Sequence, residues 1–126
     1  MFCINTTNCF TLSRGDTFKF PIIINQKTKF EFEKYELTDD DIIYGAILEP
    51  NQSFEDAIIR KVITNKDYKD LENNPLFILH SDDTEYLLTG KYYFTLKLKD
   101  KNNNITTILP MKEFWITGTS KDLCDC

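Results

Sequence analysis

The chain has one histidine, His80, and an imidazole is the side chain best suited to act as a general base near neutral pH. His80 stands at the end of the apolar stretch LFILH and is followed directly by Ser81 and Asp82. Nucleophilic catalysis also needs a nucleophile within hydrogen-bond reach of the base and a third group that orients the base. The sequence contains no nucleophile motif. We therefore predict that the protein is not an enzyme and has no catalytic residues.

Two groups of acidic residues, at 39–41 and 82–85, could offer carboxylate oxygens to a calcium ion. A calcium-binding loop spaces its acids alternately and includes a glycine turn, and neither group does so. Thr38 and Ser81 precede the two groups, at positions where a helix cap is expected, and acids are favoured in the first turn of a helix. We therefore interpret both groups as caps of short helical turns, with calcium binding as the alternative. We predict no metal site and no cofactor.

The four cysteines lie only near the two ends of the chain, at Cys3, Cys9, Cys124 and Cys126. Their spacing does not match the Cys-x-x-Cys pairs of common metal sites. A disulfide between the two ends is geometrically possible, because terminal strands of a β-sandwich can lie close together. A protein made in the cytoplasm normally keeps its thiols reduced. We predict free thiols, with a disulfide or a bound metal as alternatives.

The stretch SRGDTF, residues 13–18, contains an Arg-Gly-Asp triplet that cell-surface receptors can read when an exposed loop tip presents it. Here Leu12 precedes the stretch and Phe18 ends it, so the triplet joins two strands. Gly15 allows an unusual backbone conformation, and Asp16 can form local hydrogen bonds. The sequence therefore predicts a tight turn between strands rather than an adhesion motif.

Charge and composition exclude several classes of partner. The net charge is −5 and the isoelectric point is near 4.8, which argues against a surface that binds nucleic acid. The four glycines stand singly, so no glycine-rich phosphate loop is present. The apolar runs are too short to cross a bilayer, and the first residues lack the pattern of a signal peptide. We expect no membrane insertion and synthesis in the cytoplasm.

Alternation of apolar and polar residues with a period of two is the main structural signal. It is strongest in KYYFTLKLK, where it predicts a core-facing set of Tyr92, Phe94, Leu96 and Leu98. The stretch KFEFEKY alternates in the same way, which predicts that Phe30, Phe32 and Tyr35 face inward while Glu31 and Glu33 face water. Both stretches are interpreted as strands with one buried face.

The remaining strands and turns can also be assigned from their residue types. Residues 42–48 read as a central strand in which Gly45 permits a close approach, and Pro21 marks an edge strand or a bulge. Residues 100–104 read as a hairpin turn before the last strand or pair of strands. The pattern predicts an all-β, antiparallel two-sheet sandwich of seven to nine strands with one or two short helical turns. A closed barrel is the alternative.

We predict a single domain over residues 1–126, with a core at about 9–118 and short terminal arms at 1–8 and 119–126. Four features carry a family resemblance. They are an R-G-D-[ST] entry to an apolar strand, an acidic turn before the central strand, the segment from Asp83 to Tyr93, and a final F-x-I-x-G strand. With these motifs the chain resembles the immunoglobulin-like N-terminal adaptor domain of phage baseplate upper proteins and related small virion proteins of gut phages, including crAss-like ones.

The resemblance implies an immunoglobulin-like sandwich and a structural role in a virion. The protein would be an adaptor in the tail, baseplate or collar, or at a head-fibre attachment, and would be made in the cytoplasm of the bacterial host. Its partners would be other virion proteins and copies of itself in a symmetric assembly, with no nucleic acid involved. Phe2, Ile4 and the short tail are candidates for arms that reach neighbours. The alternative is a carbohydrate-binding sandwich that contacts host glycans through Trp115 or tyrosines, although Trp115 alternates with core-type residues.

Overall fold

A computed structural model describes the backbone of residues 2–3 and the full residues 9–118. The described part of the chain is all-β, with ten strands and two short helical segments. The strands are β1 (Phe2–Cys3), β2 (Cys9–Ser13), β3 (Phe18–Pro21), β4 (Asn25–Lys27), β5 (Phe32–Lys34), β6 (Ile42–Leu48), β7 (Ile59–Thr64), β8 (Leu76–Leu79), β9 (Gly90–Lys99) and β10 (Ile105–Thr117). The helical segments are a 3₁₀ turn (Phe54–Asp56) and α1 (Ser81–Thr84).

Seven of these strands form the two sheets that enclose the core. The larger sheet has the order β2-β10-β9-β6-β7, and the smaller pairs β3 with β8. The order β10-β9-β6-β7 is the G-F-C-C′ order of a variable-type immunoglobulin sheet, and β3 and β8 take the places of strands B and E. All pairs in the two sheets are antiparallel except β2 with β10, which run parallel. The predicted all-β sandwich is confirmed, with ten described strands rather than seven to nine, of which seven form its two sheets.

Aromatic rings from both sheets meet in the centre of the sandwich. Phe94 of β9 is fully buried, and its ring centroid lies 4.7 Å from that of Phe77 and 5.4 Å from that of Phe20. Phe18 packs edge-on against Phe114 with centroids 5.1 Å apart. Edge-to-face contacts between rings add to the stabilisation that area burial alone gives. The inward-facing residues of β9 are buried as the alternation predicts.

A tyrosine at the start of β9 fixes the connection from the smaller sheet to the larger one. Tyr92 Oη donates a hydrogen bond of 2.6 Å to the carbonyl oxygen of Leu88, four residues earlier. This is the tyrosine corner found at the same place in many immunoglobulin-like domains. Burial, and then the nearby Glu49 carboxylate, raise the pKa of Tyr92, so the hydroxyl keeps the proton that it donates.

Gly45 permits the close approach between sheets that its position in β6 predicts. A Cβ atom on this residue would lie 2.4 Å from a ring carbon of Phe77, closer than two carbon atoms can approach. The absence of a side chain therefore lets the Phe77 ring lie directly on the backbone of β6. Any larger residue would push the two sheets apart or displace the Phe77 ring.

The sequence predicted either one strand or a pair of strands at the end of the domain. The structure has one long strand, β10. It follows the hairpin turn at 100–104, where Asp100 N donates to Asn104 O and Asn103 N donates to Asp100 O, both at 3.0 Å. Its register with β9 shifts twice, between Thr107 and Lys112. The shifts bring both Ile108 and Leu109 into buried positions, although they are neighbours in the sequence. The predicted turn at Asp100–Asn104 is confirmed.

The prediction for the stretch KFEFEKY is wrong for its two phenylalanines. Phe30 is 89% exposed and Phe32 is 58% exposed, whereas only Tyr35 packs against the core. β4 pairs with β1 on one side and with β5 on the other, and these three strands form a sheet separate from the two main sheets. Glu31 and Glu33 are exposed as expected. Within the part of the chain that the structure describes, neither main sheet covers the face that carries Phe30 and Phe32.

The two acidic groups fold differently from each other. Residues 38–41 form a hydrogen-bonded turn, in which Asp41 N donates to Thr38 O at 3.2 Å, and not the predicted helical turn. Residues 81–84 form the helix α1, but its cap is His80 rather than Ser81. The cap lies one residue earlier because Asp83 Oδ2 accepts a hydrogen bond of 2.7 Å from the backbone N–H of His80.

The prediction of free thiols is wrong for Cys9, which is buried in β2 and disulfide-bonded. The side chain that pairs with it lies outside the described residues, as do the thiols of Cys124 and Cys126. The proposed terminal arms, with the side chains of Phe2 and Ile4, also lie outside that part of the chain. Within the described residues, no helix has the length and apolar character needed to span a membrane.

Candidate contact surface

The Arg-Gly-Asp triplet is held in a closed turn between β2 and β3. Asp16 N donates to Ser13 O at 3.0 Å, and Gly15 has a φ of +85°, which the third position of a type II turn requires. Gly15 N also donates to Thr84 Oγ1 at 3.0 Å, which ties the turn to the buried end of α1. The predicted role as a corner between strands is confirmed, because the backbone of the triplet is engaged within the fold.

His80 and the acids after it form a cap and an ion pair. The imidazole of His80 is exposed at the start of α1. Asp83 Oδ2 accepts a hydrogen bond from His80 N and another, of 2.9 Å, from Lys61 Nζ on β7. Burial alone would raise the pKa of Asp83, but these two hydrogen bonds outweigh it and lower the pKa below its usual value. Asp83 is therefore used to join α1 to the larger sheet.

The carboxylates of the acidic turn at 38–41 also accept hydrogen bonds from other parts of the fold. Asp41 is buried, and its carboxylate accepts hydrogen bonds from Tyr35 Oη at 2.5 Å and from Thr38 N at 2.9 Å. Burial and the adjoining carboxylate raise the pKa of Tyr35 well above its usual value. Asp39 instead accepts a hydrogen bond from Asn65 at 3.0 Å. Among the described residues, no three His, Cys, Asp or Glu side chains are placed to share a metal ion.

Trp115 lies on the outer face of β10, since its neighbours Phe114 and Ile116 are buried in the core. The side chain is half-buried. Its indole N–H is shielded from solvent and has no hydrogen-bond acceptor among the described residues. Because the side chain is half-buried, the ring offers only part of its surface to a ligand such as a sugar.

Large exposed apolar side chains are the distinctive surface feature of the described residues. They lie mainly on the β4–β5 hairpin, on the segments beside β3 and β8, and on the connection between α1 and β9. Their members are Ile23, Phe30, Phe32, Val62, Tyr68, Leu71, Tyr86, Leu88, Ile105 and Met111. Single exposed apolar residues are ordinary, but clusters on hairpins and groove walls mark contact surfaces.

The first cluster is at the tip of the hairpin formed by residues 25–34, which we call the Phe30 hairpin. A compact turn closes it: Thr28 N donates to Glu31 O at 2.7 Å, and Glu31 N donates to Thr28 Oγ1 at 3.2 Å. The turn places Lys29 and Phe30 side by side at the tip, with the Lys29 ammonium 5.6 Å from the centroid of the Phe30 ring. The tip thus presents an aromatic ring and a positive charge together.

The second cluster lines a shallow groove of about 350 Å³, which we call the Leu71 groove. It is formed by Pro21, Ile23, Asp70, Leu71, Glu72 and Asn74. The turn at 70–74 shapes one wall, because Asp70 Oδ1 accepts hydrogen bonds from Glu72 N at 2.9 Å and Asn74 N at 2.8 Å. Hydrogen bonds from Asn74 and Glu72, together with nearby Lys34, hold the pKa of Asp70 below its usual value. The groove has apolar walls and an acidic rim.

Asn74 adds an unusual polar group to this groove. It is almost wholly buried, and its Nδ2 donates to Asp70 Oδ2 at 3.2 Å. That contact fixes the amide orientation, because the opposite orientation would set two oxygens against each other. The amide oxygen Oδ1 is then buried with no hydrogen-bond donor among the described residues. A buried oxygen without a donor is costly, so this amide is a locally unfavourable feature of the groove wall.

Sequence reasoning did not find the Leu71 groove, and it placed the Phe30 hairpin in the core. The groove joins residues that are far apart in the chain, Ile23 before β4 and Leu71 before β8, so no local pattern marks it. For the hairpin, the alternation indicated which side chains share a face, but no local pattern shows what covers that face.

Comparisons of the chain with protein-family models, curated proteins and solved structures find no match.

Proposed function

We propose that the protein is a structural component of a phage virion, an adaptor in the tail, baseplate or collar or at a head-fibre attachment, which acts through contacts with other virion proteins and with copies of itself. The sequence resemblance to baseplate and gut-phage adaptor domains supports this role. An immunoglobulin-like sandwich suits it, because a rigid core can present loops and hairpins without itself changing shape.

The observation that carries the proposal is the Phe30 hairpin. It stands outside both main sheets, and its strands β4 and β5 bury little of their side-chain surface. A small sheet without a covered face is marginal in water, so an aromatic tip on such a hairpin is best explained by a partner that covers it. Binding by exposed aromatic anchors is common at protein interfaces.

A free sheet edge offers a second type of contact. β7 is the last strand of the larger sheet, and its outer edge has no strand partner within the described residues. Such an edge can accept a strand from a neighbouring protein. Arg60 and Lys61 on β7 limit nonspecific pairing, since basic residues on an edge strand oppose aggregation. Selective subunit contacts are thus compatible with this edge.

The glycan-binding alternative has less support. Trp115 is half-buried and its N–H is shielded, so the ring is poorly placed to stack on a sugar.

The test is quantitative mass spectrometry of purified phage particles from the host that carries this gene. We expect peptides of the chain at a fixed ratio to a major structural protein across independent preparations. The same ratio should persist after a high-salt wash that removes loosely bound host proteins, and an abundant host cytoplasmic protein serves as the control. Absence of the chain from particles, or a ratio that falls with each wash, would contradict the proposal.

A further inference from the structure

We propose that the tip of the Phe30 hairpin of one copy binds in the Leu71 groove of a second copy. The inference rests on the proposed function, since it names the contact through which copies of the chain would assemble. The two surfaces are complementary: the tip projects and carries a positive charge, whereas the groove is concave and has an acidic rim.

The Phe30 hairpin projects an aromatic ring that the described residues leave exposed. Phe30 is among the most exposed large apolar residues of the described part, and its ring faces the adjacent Lys29 ammonium. Backbone and hydroxyl hydrogen bonds of the Thr28–Glu31 turn close the tip and keep Lys29 and Phe30 adjacent.

The groove provides the complementary surface. Pro21, Ile23 and Leu71 give it apolar walls, and Leu71 is fully exposed in the single chain. A cavity of about 150 Å³ can hold a benzene ring. The Leu71 groove has a volume of about 350 Å³ and is open to solvent, so a ring of this size can lie against its apolar walls.

The charges agree with this placement. Asp70 is engaged by the amides of its own turn, which leaves Glu72 as the rim carboxylate for the Lys29 ammonium of the second copy. A groove with apolar walls and a negative rim thus meets a tip with a ring and a positive charge.

The contact must form between copies rather than within one chain. Ile23 and the tip lie at opposite ends of β4, separated by roughly 15 Å at about 3.3 Å per residue. Bringing Phe30 back onto Ile23 would break the β4–β5 pairing and the Thr28–Glu31 turn. Because the hairpin tip and the groove are different surfaces, repeated contacts are head-to-tail and generate a ring or a filament.

Sedimentation velocity over a range of protein concentrations tests the contact. We expect the wild-type chain to associate reversibly, and Phe30→Ser and Leu71→Asp each to weaken association at least tenfold. Tyr86→Ser is the matched control, since Tyr86 is an equally exposed aromatic residue away from both surfaces, and it should associate as the wild type does. Circular dichroism confirms that each variant is folded.

Two further arms make the test specific. Lys29→Glu should weaken association, and Glu72→Lys in the same chain should restore it. A mixture of the Phe30→Ser and Leu71→Asp variants should form hetero-dimers, because the first keeps its groove and the second keeps its tip. A wild-type chain that stays monomeric at every concentration, or variants that associate as the wild type does, would overturn the inference. The proposed function would still stand if the chain were found in particles at a fixed ratio.

Discussion

Strand β9 and the Phe30 hairpin carry the same alternation of apolar and polar residues, yet their apolar faces meet opposite environments. The inward side chains of β9 are buried beneath the second sheet, whereas Phe30 and Phe32 lie in solvent. β9 is paired on both sides, by β10 and by β6, and so occupies the centre of the larger sheet. The hairpin pairs only with β1 and lies outside both main sheets.

The comparison teaches that alternation specifies which side chains share a face but not what covers that face. A central strand is covered by its own chain because its neighbours hold it in place over the opposite sheet. A peripheral hairpin has no such constraint, so its apolar face is available to another molecule. The predictions below measure this difference as free energy of unfolding, from the largest expected effect to the smallest.

Truncation of Phe94 should cause the largest loss of stability. Phe94 is fully buried among rings from both sheets, so Phe94→Ala leaves a cavity and should cost about 3–5 kcal/mol. Phe30→Ala, the matched change on the hairpin, should alter stability by less than about 0.5 kcal/mol in dilute solution. Urea unfolding followed by fluorescence measures both values. Equal costs for the two variants would mean that the hairpin is part of the core.

A methyl group at Gly45 should give the next largest effect. The added Cβ would lie 2.4 Å from the Phe77 ring, so Gly45→Ala should destabilise the fold by about 1–3 kcal/mol through overpacking. At Gly118 the nearest heavy atom to an added Cβ is Thr89 Cγ2 at 3.7 Å, an ordinary contact. Gly118→Ala is therefore the control, and its thermal midpoint should match that of the wild type. A wild-type midpoint for Gly45→Ala would refute the close contact between the sheets.

The smallest effect concerns acid stability. The pKa of Asp83 is lowered in the folded state, so its contribution to stability is present above the unfolded value of about 3.9 and is lost as the pH falls below it. Lys61→Met removes one of the two hydrogen bonds that lower this pKa, and should cost about 1 kcal/mol near pH 7. The difference from the wild type should shrink between about pH 4 and pH 2.

The exposed Lys66 supplies the control for this acid profile, as Lys66→Met. This variant should follow the wild-type profile of unfolding free energy against pH. A Lys61→Met difference that stays constant down to pH 2 would show that Asp83 does not carry the effect.

Local patterns predicted those parts of the fold that local physics decides. β9, the close approach at Gly45, the turn of the Arg-Gly-Asp triplet and the Asp100–Asn104 hairpin are confirmed, because each depends on alternation or on turn chemistry. The inward placement of Phe30 was wrong because burial depends on which strands lie opposite, and that is a property of the whole topology.

The other errors have similar physical causes. Thr38–Asp41 forms a turn rather than a helix because Asp41 is drawn inward to accept hydrogen bonds from Tyr35 and Thr38. His80 takes the cap position because the Asp83 carboxylate reaches its backbone N–H. The candidate contact surface could not be predicted, since the Leu71 groove joins segments on either side of four strands and their connections.

Hydrogen exchange measured by mass spectrometry at low and high protein concentration tests the central claim most directly, since it reports on β9 and the Phe30 hairpin in one experiment. We predict that amides of residues 90–99 exchange slowly at both concentrations, whereas amides of residues 25–34 exchange rapidly in dilute protein and become protected as copies associate. Hairpin amides whose exchange does not change with concentration would contradict the claim that this face is reserved for another molecule.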